Sequence, residues 1–199
     1  MENNWLMEKI SFREFKETDF DFMLKWLNTD FVKQWYYKKM PTWTSDSIVK
    51  LCTPFAQKRN TTGKPMDCFI ILYNEKEIGY LQICLLKNYP ESNELLQAGD
   101  DSADIDLFIG EKEYIHKGLG SIIIRSVLDK NIFSNKDINK CIISPEPENI
   151  VAIKAFKKAG FKYIKTIQDH VCSGGASLYI MEILRSEWEK NKLPKSRFG

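Results

Sequence analysis

The segment "YIHKGLGSIIIRSVL", Tyr114 to Leu128, constrains this chain more than any other. Gly118 and Gly120 flank Leu119, and an apolar run at helical spacing begins at once. The pattern reads as a helix opening on glycine. The first amides of a helix have no partner inside it and carry the positive end of the helix dipole. Glycine lets a ligand press directly on backbone at such a point. The amides of Lys117 to Ser121 therefore read as a cradle for a phosphate.

Two familiar phosphate-binding arrangements do not fit. A dinucleotide fold wants Gly-x-Gly-x-x-Gly after the first strand and an acid about 20 residues on. Here the glycine pair comes late, after the fourth expected strand, and position 123 is Ile. A P-loop needs Gly-Lys-Ser/Thr at set spacing, and the chain lacks it there.

The periodicity predicts a first strand over Lys9 to Phe15. From Thr18, "TDFDFMLKWLNTD" holds an N-cap candidate and then Phe22, Met23, Trp26 and Leu27 at helical spacing. A second helix begins near Ser45, with Ile48, Val49, Leu51 and Cys52 on its apolar face and Pro54 ending or kinking it. Two strands follow, joined by a tight turn at Asn74 to Lys76. "KNYPESNELLQAGDDSA" reads as a long acidic connection, and "DIDLFIG" as a strand. The glycine segment then opens a helix to about Leu128. "KCIIS" is a strand, and Asn149 and Gly160 cap the helix between them. "FKYIKTI" and "ASLYIMEIL" are closing strands. From about residue 185 the chain is a polar tail, part of it able to form helix. This is a mixed α/β sheet without regular βαβ winding, on one domain of 199 residues.

Composition narrows the class. Lys and Arg number 29 against 27 Asp and Glu, and a net charge of +2 is too small to indicate a nucleic-acid partner. The longest apolar runs are far too short to span a bilayer, and the N-terminus is not a secretory signal. Five cysteines without a CxxC pair argue against a zinc site or a disulfide framework, and fit a reducing cytoplasm. No metal is expected.

Three features line up: the glycine helix start, the Asn149-capped helix ending "AGF", and Asp104 and Asp106 alternating with Ile105 and Leu107 on the preceding strand. With them the chain resembles the GNAT superfamily of N-acetyltransferases over about residues 9 to 184. That family has Arg/Gln-x-x-Gly-x-Gly/Ala at a helix start, then a strand, an Asn-x-x-Ala helix and Gly-Phe. Here Ile115 takes the usual Arg/Gln position, while Gly118, Gly120, Asn149, Ala152 and Gly160-Phe161 match. Within the superfamily the chain looks most like the aminoglycoside 6′-N-acetyltransferases. The marks are "DIDLFIG" for their Asp-Gln-Phe strand, Lys117-Gly118-Leu119-Gly120, "IGYLQ" at Ile78 to Gln82, and "FMLKWLNTDFVKQWY".

The resemblance implies a GNAT fold: a central, mostly antiparallel twisted sheet splayed where acetyl-CoA binds, with helices on both faces. Acetyl-CoA is the implied co-substrate. Its pyrophosphate would rest on the amides from Lys117 to Ser121, next to His116, with Lys117 and Arg125 adding charge. Its pantetheine arm would run along Asp106 to Ile109, past Phe108, with Asn149 near the thiol. Ala152 and Phe156 belong to the same implied cofactor set, and Lys154 or Lys157 would face the 3′-phosphate. One exposed point-charge contact contributes about 0.5–1 kcal/mol, so the amide cradle matters more than any one lysine.

The acceptor must be a neutral amine, because an ammonium has no lone pair. Asp106 is the implied base: a carboxylate binds the ammonium and takes its proton, directly or through water. Asp104, Gln82, Ser144, Trp35 and Tyr36 are the implied acceptor-binding residues. Trp35, Tyr36, Tyr37 and Trp43 either stack on sugar rings or belong to the core. From Glu91 to Asp106 there are six acids and no Lys or Arg, a field that concentrates cations. Two positions depart from the family. Phe156 stands where a thiol-protonating Tyr is frequent, and Ser144-Pro145 where Asp-Pro is frequent. The expected partners are acetyl-CoA and a cationic small-molecule amine, on a monomer or homodimer, with neither nucleic acid nor membrane. The alternatives are another amine (a polyamine, a siderophore precursor or a protein N-terminus) or an acyl-CoA-binding module without activity. His116 and His170 have no partner motif, and His116 reads as loop surface.

Overall fold

In the computed structural model, residues 4–37, 42–169 and 176–192 are described. His170 and Cys172 lie outside them. The chain divides into two compact units, Met1–Cys84 with Ile105–Ser126, and Leu85–Asp104 with Val127–Gly199. The expected seven strands are present, their pairing mostly antiparallel with one parallel pair.

The first unit carries strands in the order β1-β2-β3-β4. These are β1 (Ile10–Glu14), β2 (Asp67–Tyr73), β3 (Lys76–Leu85) and the C-terminal part of β4 (Ser102–Ile109). The β2–β3 hairpin turns through Asn74 and Glu75, both at positive φ (49° and 66°), the conformation that matches the strands' twist. Its helices are α1 (Asn4–Glu8), α2 (Phe20–Leu27), α3 (Asp30–Lys33), α4 (Ser45–Ala56) and α6 (Leu119–Val127). Met23, Trp26, Leu27, Ile48, Cys52 and Phe55 turn inward onto Ile70, Tyr80 and Phe108, and form its core.

The cap of α2 falls within the segment that opens at Thr18. A single 3-10 turn, Glu17–Asp19, precedes the helix, and Asp19 takes the cap position. The buried Asp19 carboxylate accepts both Arg13 guanidinium nitrogens at 2.8 Å and the Lys16 N–H at 2.9 Å. That bidentate pair, together with the local bond from Lys16, fixes Asp19 at the start of α2. The Ser45 helix begins as expected, on a Thr44–Ser47 capping box, and passes Pro54 by only two residues.

The second unit carries the order β4-β5-β7-β6, with β5 (Lys140–Ile143), β6 (Lys162–Asp169) and β7 (Ala176–Leu184). The start of β4 pairs in parallel with β5, Asp104 opposite Ile142. Helix α7 (Ile150–Ala159) has the predicted caps: Asn149 Oδ1 accepts the Ala152 N–H at 3.1 Å, and Gly160 sits at φ 114°. One expectation is corrected here. The acidic connection holds a helix, α5 (Pro90–Leu96), with proline in its first turn and Gln97 in the left-handed region at its end. Asn93 ties that end down, accepting from Gly99 N and donating to Asp100 Oδ1, both at 2.9 Å. The helix after the glycines, α6, ends at Val127 as expected and gives way to a wider π turn, Leu128–Ile132. The tail from residue 185 forms α8 (Arg185–Lys192).

Candidate active site

Asp106 and Phe108 lie two residues apart on β4, hence on one face of the strand. Phe108 enters the core of the first unit, where its ring meets Trp26, Tyr80 and Tyr36 with centroids 6.0, 5.8 and 4.9 Å away. Asp106 is accessible to solvent, yet the protein atoms around it cost its carboxylate hydration. That loss of hydration raises its pKa to about 6. Hydrogen bonds from the Tyr36 hydroxyl and the Leu107 N–H pull in the opposite direction. A carboxyl of this kind is ionised at neutral pH and still basic enough to take a proton.

Tyr36 comes from the turn that follows α3. The Thr29 hydroxyl donates to Trp26 O at 2.7 Å, Val32 is buried, and the N–H groups of Trp35 and Tyr36 both reach Val32 O at 3.0 Å. The sequence placed Tyr36 among acceptor-stacking aromatics. Its direct bond to Asp106 spans 70 residues, and no local pattern signals it. Trp43 proves to be core, 6% exposed. Tyr37 is exposed, with its ring edge-on to Trp43. Trp35 is half-buried beside them in sequence. Gln82 is half-buried on β3, and its Oε1 lies 3.5 Å from the Tyr80 hydroxyl.

The glycine helix start is in the same unit. Gly118 has φ 74°, and a Cβ built on it would meet nothing within 4 Å. The glycine is thus required by its left-handed backbone, and the space above that backbone is open. His116, Lys117 and Gly118 are exposed, while Leu119 and Ser121 turn inward, Ser121 Oγ donating to Gly118 O at 3.3 Å. The helix that follows begins at Leu119 and includes Gly120, so the first-turn amides open on this loop. These residues fit a diphosphate; Ile109 precedes them at the end of β4.

The second unit holds the remaining sequence-derived residues. Asp104 and Ser144 are half-buried, on β4 and just past β5. Asn149 caps its own helix, so its side-chain oxygen is engaged with Ala152 N. Phe156 is buried, edge-on to Phe161 at 5.4 Å, and works as core of that unit. Lys154 is exposed, and the Lys157 ammonium stands 5.7 Å from the Tyr179 ring. Of the acidic run, Asp100 accepts from Asn93 and Asp101 from Asn139 Nδ2 at 3.1 Å, so both brace loops. Among the described residues no three His, Cys, Asp or Glu side chains are grouped to hold a metal. No helix among them is long and apolar enough to cross a membrane.

The late glycine helix start and the Asn-capped helix stand in the structure as the acetyltransferase resemblance implies. The chain belongs to the acetyltransferase (GNAT) domain family, which it matches over residues 16–169. It is 22% identical over 187 residues to the aminoglycoside N(6′)-acetyltransferase type 1 of Klebsiella pneumoniae, covering 93% of this chain and 88% of that protein. Its fold is similar to AAC(6′)-Ib solved with ribostamycin and coenzyme A (TM-score 0.80, 20% identity, 93% and 98% of the two chains). It is also similar to spermidine N-acetyltransferase from Vibrio cholerae, solved with CoA and spermine (TM-score 0.67, 18% identity, 92% and 99%).

Proposed function

We propose that this chain transfers acetyl from acetyl-CoA to a primary amine of a polycationic small molecule, the 6′-amine of an aminoglycoside. The observation that supports it most is Asp106: an accessible carboxyl, tuned to about 6, on the strand that leads into the glycine helix start. Acetyl-CoA supplies a thioester carbonyl for the amine to attack. The amides from Lys117 to Ser121 hold its diphosphate. Asp106 binds the acceptor's ammonium and removes a proton, which frees the lone pair. Phe156 is a buried hydrocarbon and donates nothing; a thiol of pKa about 8.5 leaves as thiolate and takes its proton from water. The substrate class rests on the aminoglycoside-acetylating relative that spans nearly the whole chain. Among the described residues Cys52, Cys68 and Cys141 form no disulfide, which suits a reducing compartment, so we place the reaction in the cytoplasm.

Thiol release from acetyl-CoA across a panel of amines tests the reading. Kanamycin and tobramycin should turn over and give the 6′-acetylated product. Release with spermidine and none with either aminoglycoside would replace the acceptor. CoA binding by calorimetry, without release for any amine, would leave a binding module. The acid limb of kcat/KM should have its midpoint at about 6, because protonated Asp106 cannot accept a proton.

A further inference from the structure

The geometry points to Tyr36 as a positioning residue that holds the Asp106 carboxylate in its ionised, proton-accepting state; this rests on the catalytic reading of Asp106 given above. The Tyr36 hydroxyl donates to Asp106 Oδ1. The same ring is fixed edge-on to Phe108 at 4.9 Å, two residues along β4. Phe108 is in turn wedged between Trp26 and Tyr80, both buried. A chain of packed rings therefore sets where the phenol points, and the phenol sets one oxygen of the carboxylate. A carboxylate has about four lone-pair sites, so the Tyr36 hydroxyl and the Leu107 N–H leave room for an ammonium proton.

The sign follows from which form the phenol favours. A donor stabilises the charged carboxylate and opposes the effect of burial. Without the hydroxyl, only the Leu107 N–H opposes burial, and the midpoint climbs. Tyr37, from the same turn, also faces this site, with Cys52 of α4, Cys68 of β2 and Tyr80 of β3 behind it, and Asp104 lies two residues along the same face of β4. Burial holds Cys52, Cys68 and Tyr80 neutral, the two thiols being pushed up to about 12; the Tyr37 phenol is raised by lost hydration, and further by the neighbouring Asp106 charge. Of Tyr37, Cys52, Cys68, Tyr80 and Asp106, Asp106 alone changes charge between pH 5 and 9.

Tyr36→Phe keeps the ring against Phe108 and removes only the hydroxyl, so the packing that folds the unit survives. Carbon-13 NMR of the Asp106 carboxyl, followed against pH in the protein without substrate, should move its midpoint from about 6 upward by about one pH unit. In thiol release with kanamycin, kcat/KM should fall about threefold more at pH 6.5 than at pH 9, as follows from that displacement. An unmoved Asp106 midpoint in Tyr36→Phe overturns the inference, whatever the activity does. Absence of turnover by the unmodified protein on every amine would instead sink the catalytic reading, leaving the NMR midpoints to decide the role of Tyr36.

Discussion

Asp106 holds its charge against the preference of its surroundings, and stability should record this. Its folded pKa lies above the unfolded value of 3.8, at about 6. A raised acid contributes stability below the unfolded value and loses it as pH rises through the folded one. At neutral pH the ionised carboxylate therefore weakens the fold. Asp106→Asn, which still accepts from Tyr36, should stabilise the protein at pH 7.5 by up to about 1 kcal/mol, since solvent reaches the group and screens it. The gain should fade below pH 4 in thermal unfolding. The same substitution should reduce thiol release by at least about a hundredfold while CoA affinity is retained. A variant both less stable and equally active would remove Asp106 from its role.

At the scale of elements, two glycines set how closely the pieces of the first unit approach. A Cβ on Gly79 of β3 would come within 2.1 Å of the Phe108 carbonyl oxygen of β4. One on Gly110 would come within 2.2 Å of the Trp26 ring. Trp26 cannot swing aside, because it is fully buried and its indole N–H donates to Glu111 Oε1 at 2.8 Å. Gly79→Ala and Gly110→Ala should each lower unfolding stability by roughly 2–3 kcal/mol in urea titrations, through overpacking against atoms with no free direction. Both glycines were legible as motif positions in "IGY" and "FIG", although what they make room for was not. The strands were legible as well, because alternation and apolar runs are local. The ion pair at the start of α2 and the helix inside the acidic connection were not. The first depends on Arg13 reaching Asp19 from β1, and the second on caps and turns around only two leucines.

At the scale of the whole chain, the tail from residue 185 looks dispensable by composition and is not. Within the second unit, Trp188 of α8 is 2% exposed and lies against Phe133. The Arg185 guanidinium donates to the carbonyls of Phe133, Asn135 and Ile138, which follow or end the π turn. Trp188→Ala should cost about 3–4 kcal/mol of stability, the range for emptying a buried aromatic site. Lys190→Ala, on the exposed side of the same helix, should stay within about 0.5 kcal/mol. Equal effects of the two in denaturant unfolding would show that α8 does not dock.

Taken alone, the amino-acid order settled the mixed α/β class, the seven strands, the glycine helix start, the Asn149 cap and, through them, the acetyltransferase family. Each is written in short-range patterns: period, cap and turn chemistry act over a few residues. The tertiary structure alone decided that Trp43 is core, that Phe156 is packed away, and that Tyr36 grips Asp106 across 70 residues. A side chain's pKa and accessibility depend on which distant atoms exclude water from it, and only the folded chain brings those atoms together.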